Sequence, residues 1–94
     1  MDDIKVITET PMEPEKFPAD IVFKTIIRNL PSAFTLESIK SILAERDVRA
    51  AVTMRESQNA TFISYTVSAR FDSSDILLSV CSEISTLEGF MTMF

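Results

Sequence analysis

The sequence predicts one α+β domain with the order β-α-β-β-α-β, two helices lying on one face of a four-stranded antiparallel sheet. Three observations predict it: period-two alternation of apolar and polar residues in separate runs, two stripes of apolar residues at helical spacing, and turn-forming residues at the joins. The chain has 94 residues, 46% of them apolar, enough for one modest core and too few for two.

The first strand is Ile21 to Arg28, whose odd positions read Ile, Phe, Thr, Ile and whose even positions read Val, Lys, Ile, Arg. Asn29 to Phe34 contains Pro31 and Ser32 and reads as a loop. Thr35 is placed to cap a helix that sets Leu36, Ile39, Ile42 and Leu43 on one stripe and ends near Glu45 to Asp47. Val48, Ala50, Val52 and Met54 then alternate with Arg49, Ala51, Thr53 and Arg55. Residues Glu56 to Ala60 break the pattern as a hairpin loop, where Asn59 is the best candidate for a left-handed backbone.

The returning strand has the cleanest alternation. Ile63, Tyr65, Val67, Ala69 and Phe71 fall on one side; Phe62, Ser64, Thr66, Ser68 and Arg70 fall on the other. Asp72-Ser73-Ser74-Asp75 supplies caps for a second helix with the stripe Ile76, Leu77, Val80, Cys81 and Ile84. After Gly89, residues Phe90 to Phe94 form a short last strand, expected with Phe90 and Phe94 inward and Met91 and Met93 on the open face. The whole is the ferredoxin-like arrangement, which many unrelated functions share.

Residues 1–19 differ from the rest and are read as an arm, with the domain at 20–94. Three of the four prolines lie between Thr8 and Pro18, and residues 1–20 carry six acids against two bases. The net charge of that segment is −4, leaving −1 for residues 21–94 out of a total of −5. Ile4, Val6 and Ile7 are apolar enough to dock, and the acids of the arm could screen a basic surface elsewhere.

The inventory excludes familiar chemistries. With no His, one Cys and one Gly, the chain cannot build a Ser-His-Asp triad, a His or Cys metal cage, a CxxC pair or a Gly-rich phosphate loop. No metal or cofactor is expected, nor an intramolecular disulfide. The start Met-Asp-Asp lacks the basic and apolar pattern of a signal peptide, and no apolar run approaches the roughly 20 residues that span a bilayer. A cytoplasmic protein without a membrane partner is expected.

If the odd strand positions face the helices, Lys24, Arg28, Arg49, Arg55 and Arg70 project from the open face, joined there by Phe62. Five of nine bases on one surface of an acidic chain point to an anionic partner. The same residues also read as solvated cations that blunt a sheet against aggregation. Cys81 reads as a small core residue, Tyr65 as a core residue with its hydroxyl at the margin, and Leu78 as an isolated apolar residue on the outer helix surface that could seed an interface.

Phe17-Pro18-Ala19-Asp20-Ile21-Val22-Phe23-Lys24, then Arg55-Glu56-Ser57, then Phe62 to Ala69 resemble the YbeD-like family of small bacterial proteins of unknown function. The resemblance spans roughly residues 17–94. It implies a ferredoxin-like fold similar to ACT-type regulatory domains, which bind small metabolites or pair through sheets and helices. The chain departs from the common pattern at Ile26-Ile27-Arg28-Asn29, which lacks a Gly, and at Ala60 and Phe62, where Gly and Tyr are usual. Asn29-Leu30-Pro31 thus replaces the Gly-containing turn on which ACT-type ligand sites lean.

The expected function is a non-enzymatic regulatory or interaction module that binds a partner protein or a small anionic ligand through the basic sheet face, as a homodimer. Two other classes stay open. An acylphosphatase-like enzyme would use Arg28 and Asn29 to clamp a phosphate ester, and a nucleic-acid binder would use the same face, although only Phe62 is expected there to stack on a base.

Overall fold

The computed structural model describes residues 16–94. Strand β1 (Ala19–Arg28) leads to helix α1 (Thr35–Ala44), the hairpin β2 (Ala50–Glu56) and β3 (Phe62–Phe71), helix α2 (Ser74–Ile84) and strand β4 (Phe90–Met93). The strands lie in the order β2-β3-β1-β4, all neighbours antiparallel, with the two longest in the middle. Both helices cover one face, and the ferredoxin-like expectation is met.

The core follows from alternation. Ile21, Phe23, Thr25 and Ile27 of β1 and Ile63, Tyr65, Val67, Ala69 and Phe71 of β3 are buried beneath Ile39, Ile42 and Leu43 of α1 and Leu77, Val80 and Ile84 of α2. Phe23 and Phe71 hold their ring centroids 6.5 Å apart at an interplanar angle of 37°. Thr25 is the polar exception in β1, and its hydroxyl donates to the Thr92 carbonyl at 3.1 Å, so burial leaves it satisfied while it ties β4 to the sheet.

The helix ends show where local rules were overridden. At α2, Ser73 caps as its type predicts, its Oγ accepting from the Ile76 amide at 3.2 Å. At α1, Thr35 is the first helical residue instead of the cap. Phe34 occupies the cap position in a left-handed conformation (φ 51°) with no side-chain bond. Thr35 is itself buried within the first turn. At the other end, Asp47 (φ 56°) closes α1 with amide bonds from Asp47 to the Ala44 carbonyl and from Val48 to the Leu43 carbonyl, a Schellman-type stop that buries both Leu43 and Val48.

Two further expectations are corrected. The left-handed residue of the β2–β3 hairpin is Ala60 (φ 57°), not Asn59. Ser57 organises that loop: its Oγ accepts from the Thr61 and Phe62 amides, and its carbonyl accepts from the Ala60 amide. On β4, a bulge between the Ile26–Thr92 and Ile27–Phe90 pairs inserts Met91 and shifts the alternation. Phe90 and Met93 therefore pack against the core, whereas Phe94, paired with Lys24 by amide bonds of 2.7 and 2.8 Å, stands 59% exposed on the open face.

The folded unit reaches back past the expected boundary at residue 20. Phe17 packs against the core and β1 already begins at Ala19. The rest of the arm, with its proposed docking residues Ile4, Val6 and Ile7, lies outside the described residues.

Candidate binding face

Register fixes what the open face presents. The pairs Val22–Ser68, Lys24–Thr66, Ile26–Ser64 and Arg28–Phe62 run along β1 and β3, and Ala51, Thr53 and Arg55 of β2 join Ser68, Thr66 and Ser64. Side chains directly opposite in an antiparallel pair share a face. Lys24, Arg28, Arg55, Arg70 and Phe62 thus lie on the open side. Arg49 precedes β2 by one residue, at the register position of Arg70.

These cations do not form one uniform patch. Arg70 lies 3.4 Å from Asp20, the second residue of β1 and on the same face, so an acid at the start of the domain neutralises part of this end. Both partners are exposed, and such a pair contributes little to stability. Among the described residues, Lys24, Arg28, Arg49 and Arg55 have no ion-pair partner. Arg28 reaches toward the Met91 sulfur at 4.0 Å.

Between the cations runs an apolar strip. Val22 is 62% exposed, Met91 and Phe94 are exposed, and Ile26 and Phe62 are half-buried. Ile26 and Phe62, with Arg55, Glu56, Ser57 and Ser64, line a shallow depression of about 340 Å³ at the hairpin end of the sheet. Its walls come from three strands, and the small hydroxyl side chain of Ser64 keeps its floor low. Sequence reasoning marked the cations and Phe62 but missed Phe94, because no alternation rule foresees the bulge. The signal for the rest was visible: Val22 and Ile26 are apolar at positions where β1 should be wet.

The remaining candidates are structural. Asn29 donates from Nδ2 to the Ala60 carbonyl at 2.8 Å, and its amide bonds the Thr61 carbonyl, so this side chain pins the hairpin to the end of β1. Its amide group is committed there instead of being offered with Arg28 to a phosphate. Tyr65 is buried, which raises its pKa; the Thr35 hydrogen bond opposes that rise and the Glu37 charge adds to it. Leu78 stands 56% exposed on α2, and the helix surface beside it is polar, with Arg46 bonded to Ser79 at 2.9 Å and to Glu83 at 2.5 Å.

Cys81 is half-buried, and desolvation pushes its thiol up to about 11. Fewer than about one thiol in a thousand is then ionised at pH 7.4, against several per cent for an unfolded cysteine near 8.5. Alkylation by iodoacetamide at pH 7.4, followed by mass spectrometry, is expected to run on the order of 100-fold slower in the native chain than in urea. The native rate should climb about tenfold per pH unit toward pH 11. Because the folded pKa is the higher one, this group's contribution to stability is complete below about pH 8.5 and is lost as pH rises toward 11.

Among the described residues no group of three or more His, Cys, Asp or Glu side chains could hold a metal, and no helix is long and apolar enough to cross a membrane.

A family model described as a protein of unknown function, DUF493, matches residues 13–94. The chain belongs to this family. The YbeD-like resemblance read from the β1 opening and the hairpin is thereby confirmed. A comparison with curated proteins finds no match. Among solved structures, this DUF493 chain is similar to a solution structure of HP0495 from Helicobacter pylori, at 16% identity and a TM-score of 0.70, covering 96% of each chain. A second solution structure of HP0495, a hypothetical protein, aligns at 19% identity and a TM-score of 0.58, covering 90% of this chain and all of the other. The ACT domain from the GTP pyrophosphokinase of Chlorobium tepidum aligns at 8% identity and a TM-score of 0.66, covering 80% of this chain and 94% of that one. At such identities the likeness is one of fold. The DUF493 chain thus carries an ACT-like, ferredoxin-like fold.

Proposed function

We propose that this DUF493 protein is a non-enzymatic regulatory or interaction module whose open sheet face binds a partner protein bearing acidic and apolar side chains. The observation that carries the reading is the strip of Val22, Ile26, Phe62 and Phe94 flanked by Lys24, Arg28 and Arg55 on a sheet face that no helix among the described residues covers. Burying such a strip supplies affinity, while the cations select the partner and steer its approach. A small anion is the weaker ligand here, because the depression beside Arg55 is walled by Ile26 and Phe62 and has Glu56 on its rim. The setting that fits is the cytoplasm, where the lone Cys81 stays reduced. A homodimer through Leu78 would leave this face free.

Titration of the isotope-labelled full chain with an acidic peptide interleaved with apolar residues, followed by NMR, tests the reading. Shifts are expected at Val22, Lys24, Ile26, Arg28, Arg55 and Phe62. The variant K24E/R28E/R55E should weaken binding by at least about tenfold at low salt, an effect that shrinks as salt screens the charges. Shifts confined to the Leu78 surface, or none, would overturn it. A response to inorganic phosphate alone would move the ligand to a small anion. A response to short RNA alone, stacked on Phe62 and Phe94, would make the face a nucleic-acid surface.

A further inference from the structure

On the open face, Arg55, Ser64 and Ile26 form one row across β2, β3 and β1, and Phe62 and Arg28 form the next row toward the hairpin. Ser64 is the small residue among these five, so a hole opens over it between larger side chains. That hole is the depression of about 340 Å³, with Ile26 and Phe62 as apolar walls and Arg55 on the β2 side. Its volume is at the lower end of what sites for whole small ligands occupy, and it is shallow, which suits one side chain inserted from a larger partner. The walls are set by the local hydrogen bonds. Asn29 donates from Nδ2 to the Ala60 carbonyl and from its amide to the Thr61 carbonyl, both at 2.8 Å, and Ser57 Oγ accepts from the Thr61 and Phe62 amides. The backbone that carries the Phe62 ring is thereby tied to both β1 and the hairpin loop, so little ordering remains to be done on binding. The two ends of the face also differ in charge. Arg70 is paired with Asp20 at the far end, whereas Arg55 lines the depression and Arg28 stands opposite Phe62.

We infer that this depression is a socket for one large apolar side chain of the partner protein, leucine or phenylalanine in size, with a carboxylate beside it in the partner's chain that Arg55 or Arg28 takes. The inference rests on the reading of the open face as a protein-binding surface, and adds which residue of the partner dominates and where on the face it sits. A side chain seated over Ser64 touches apolar surface on two sides, at Ile26 and at Phe62, the enclosed setting in which a single anchor residue carries much of an interface's affinity. Val22, toward the other end, stands 62% exposed opposite Ser68, and a residue laid there keeps most of its contact with water. Charge selects the anchor's neighbour. A carboxylate next to the anchor meets the Arg55 guanidinium and a basic residue is repelled, while Glu56 on the rim disfavours a long run of acids. The matching partner segment is therefore an apolar residue with one or two adjoining acids, in contrast to a polyanion.

NMR titration of the isotope-labelled full chain with two peptides of equal charge, one centred on Asp-Phe-Asp and the other on Asp-Ala-Asp, tests it. The Phe peptide is expected to bind at least about tenfold more tightly, with shifts centred on Ile26, Arg55, Phe62 and Ser64. S64L fills the depression and should bring the two peptides to within about twofold of each other while leaving the affinity for the Ala peptide unchanged. F62A, which removes a wall, should erode the preference in the same way, and V22A should keep it. Equal binding of both peptides to the open face of the unaltered chain would overturn the socket and leave the protein-binding reading standing. Binding of neither would overturn both, and a preference for Phe that survives S64L and F62A would overturn the socket alone.

Discussion

Phe23→Ala is expected to remove most of the protein's folding stability. Phe23 is 1% exposed, sits on a central strand and packs its ring against that of Phe71. Truncating a buried Phe to Ala costs about 3–5 kcal/mol, from lost transfer energy and the cavity left behind. A domain this small has a total stability near the low end of the usual range, about 5 kcal/mol. Urea denaturation followed by circular dichroism measures the loss. Val22→Ala, one residue away and 62% exposed, should shift the same curve by no more than about 0.5 kcal/mol. The contrast tests the strand's facing: equal effects would mean that β1 is turned over.

Gly89→Ala should lower the melting temperature by about 10–20 °C, the equivalent of roughly 2–3 kcal/mol in a domain of this size. Gly89 has φ 85°, a conformation that costs an L-residue about 1–2 kcal/mol. An added Cβ would also lie 3.1 Å from the Arg28 Cβ and from the Leu30 Cδ1. The Leu30 methyl can swing aside, but the Arg28 Cβ is fixed to a central strand. Gly89 is where the chain leaves α2 for β4, and its carbonyl accepts the Arg28 amide at 2.8 Å. The substitution should therefore loosen β4 first, seen as faster exchange at Arg28 and Lys24, whose amides bond the Gly89 and Phe94 carbonyls, before global unfolding. A melting curve unchanged by Gly89→Ala would mean that the turn relaxes without strain.

Much of this architecture was legible in the residues. Period-two alternation in Phe62 to Phe71 assigned core and solvent sides correctly at every position, because a one-residue slip would have buried Arg70 and exposed Phe71. The stripe Leu77, Val80 and Ile84 fixed the buried face of α2 in the same way. The open position of the cations on β1, β2 and β3 followed from the same parity. Misreadings gathered where tertiary contacts compete with local preference. Thr35 is a good cap by type, yet it is buried as the first helical residue behind a left-handed Phe34. Ala60 takes a left-handed conformation that Asn would adopt more readily, in a loop closed by Ser57 and held by Asn29.

The sequence by itself determined the order of elements, the composition of the core and the exclusion of chemistries that need His, paired Cys or a Gly-rich loop, since each depends on residue type and spacing alone. Only the tertiary structure decided which further groups meet the cations on the open face. Register set Asp20 against Arg70, and a bulge at Met91 turned Phe94 outward beside Lys24. Both are properties of how strands far apart in the chain align, and strand alignment is set by the packing of the whole sheet on its helices, which no local pattern contains.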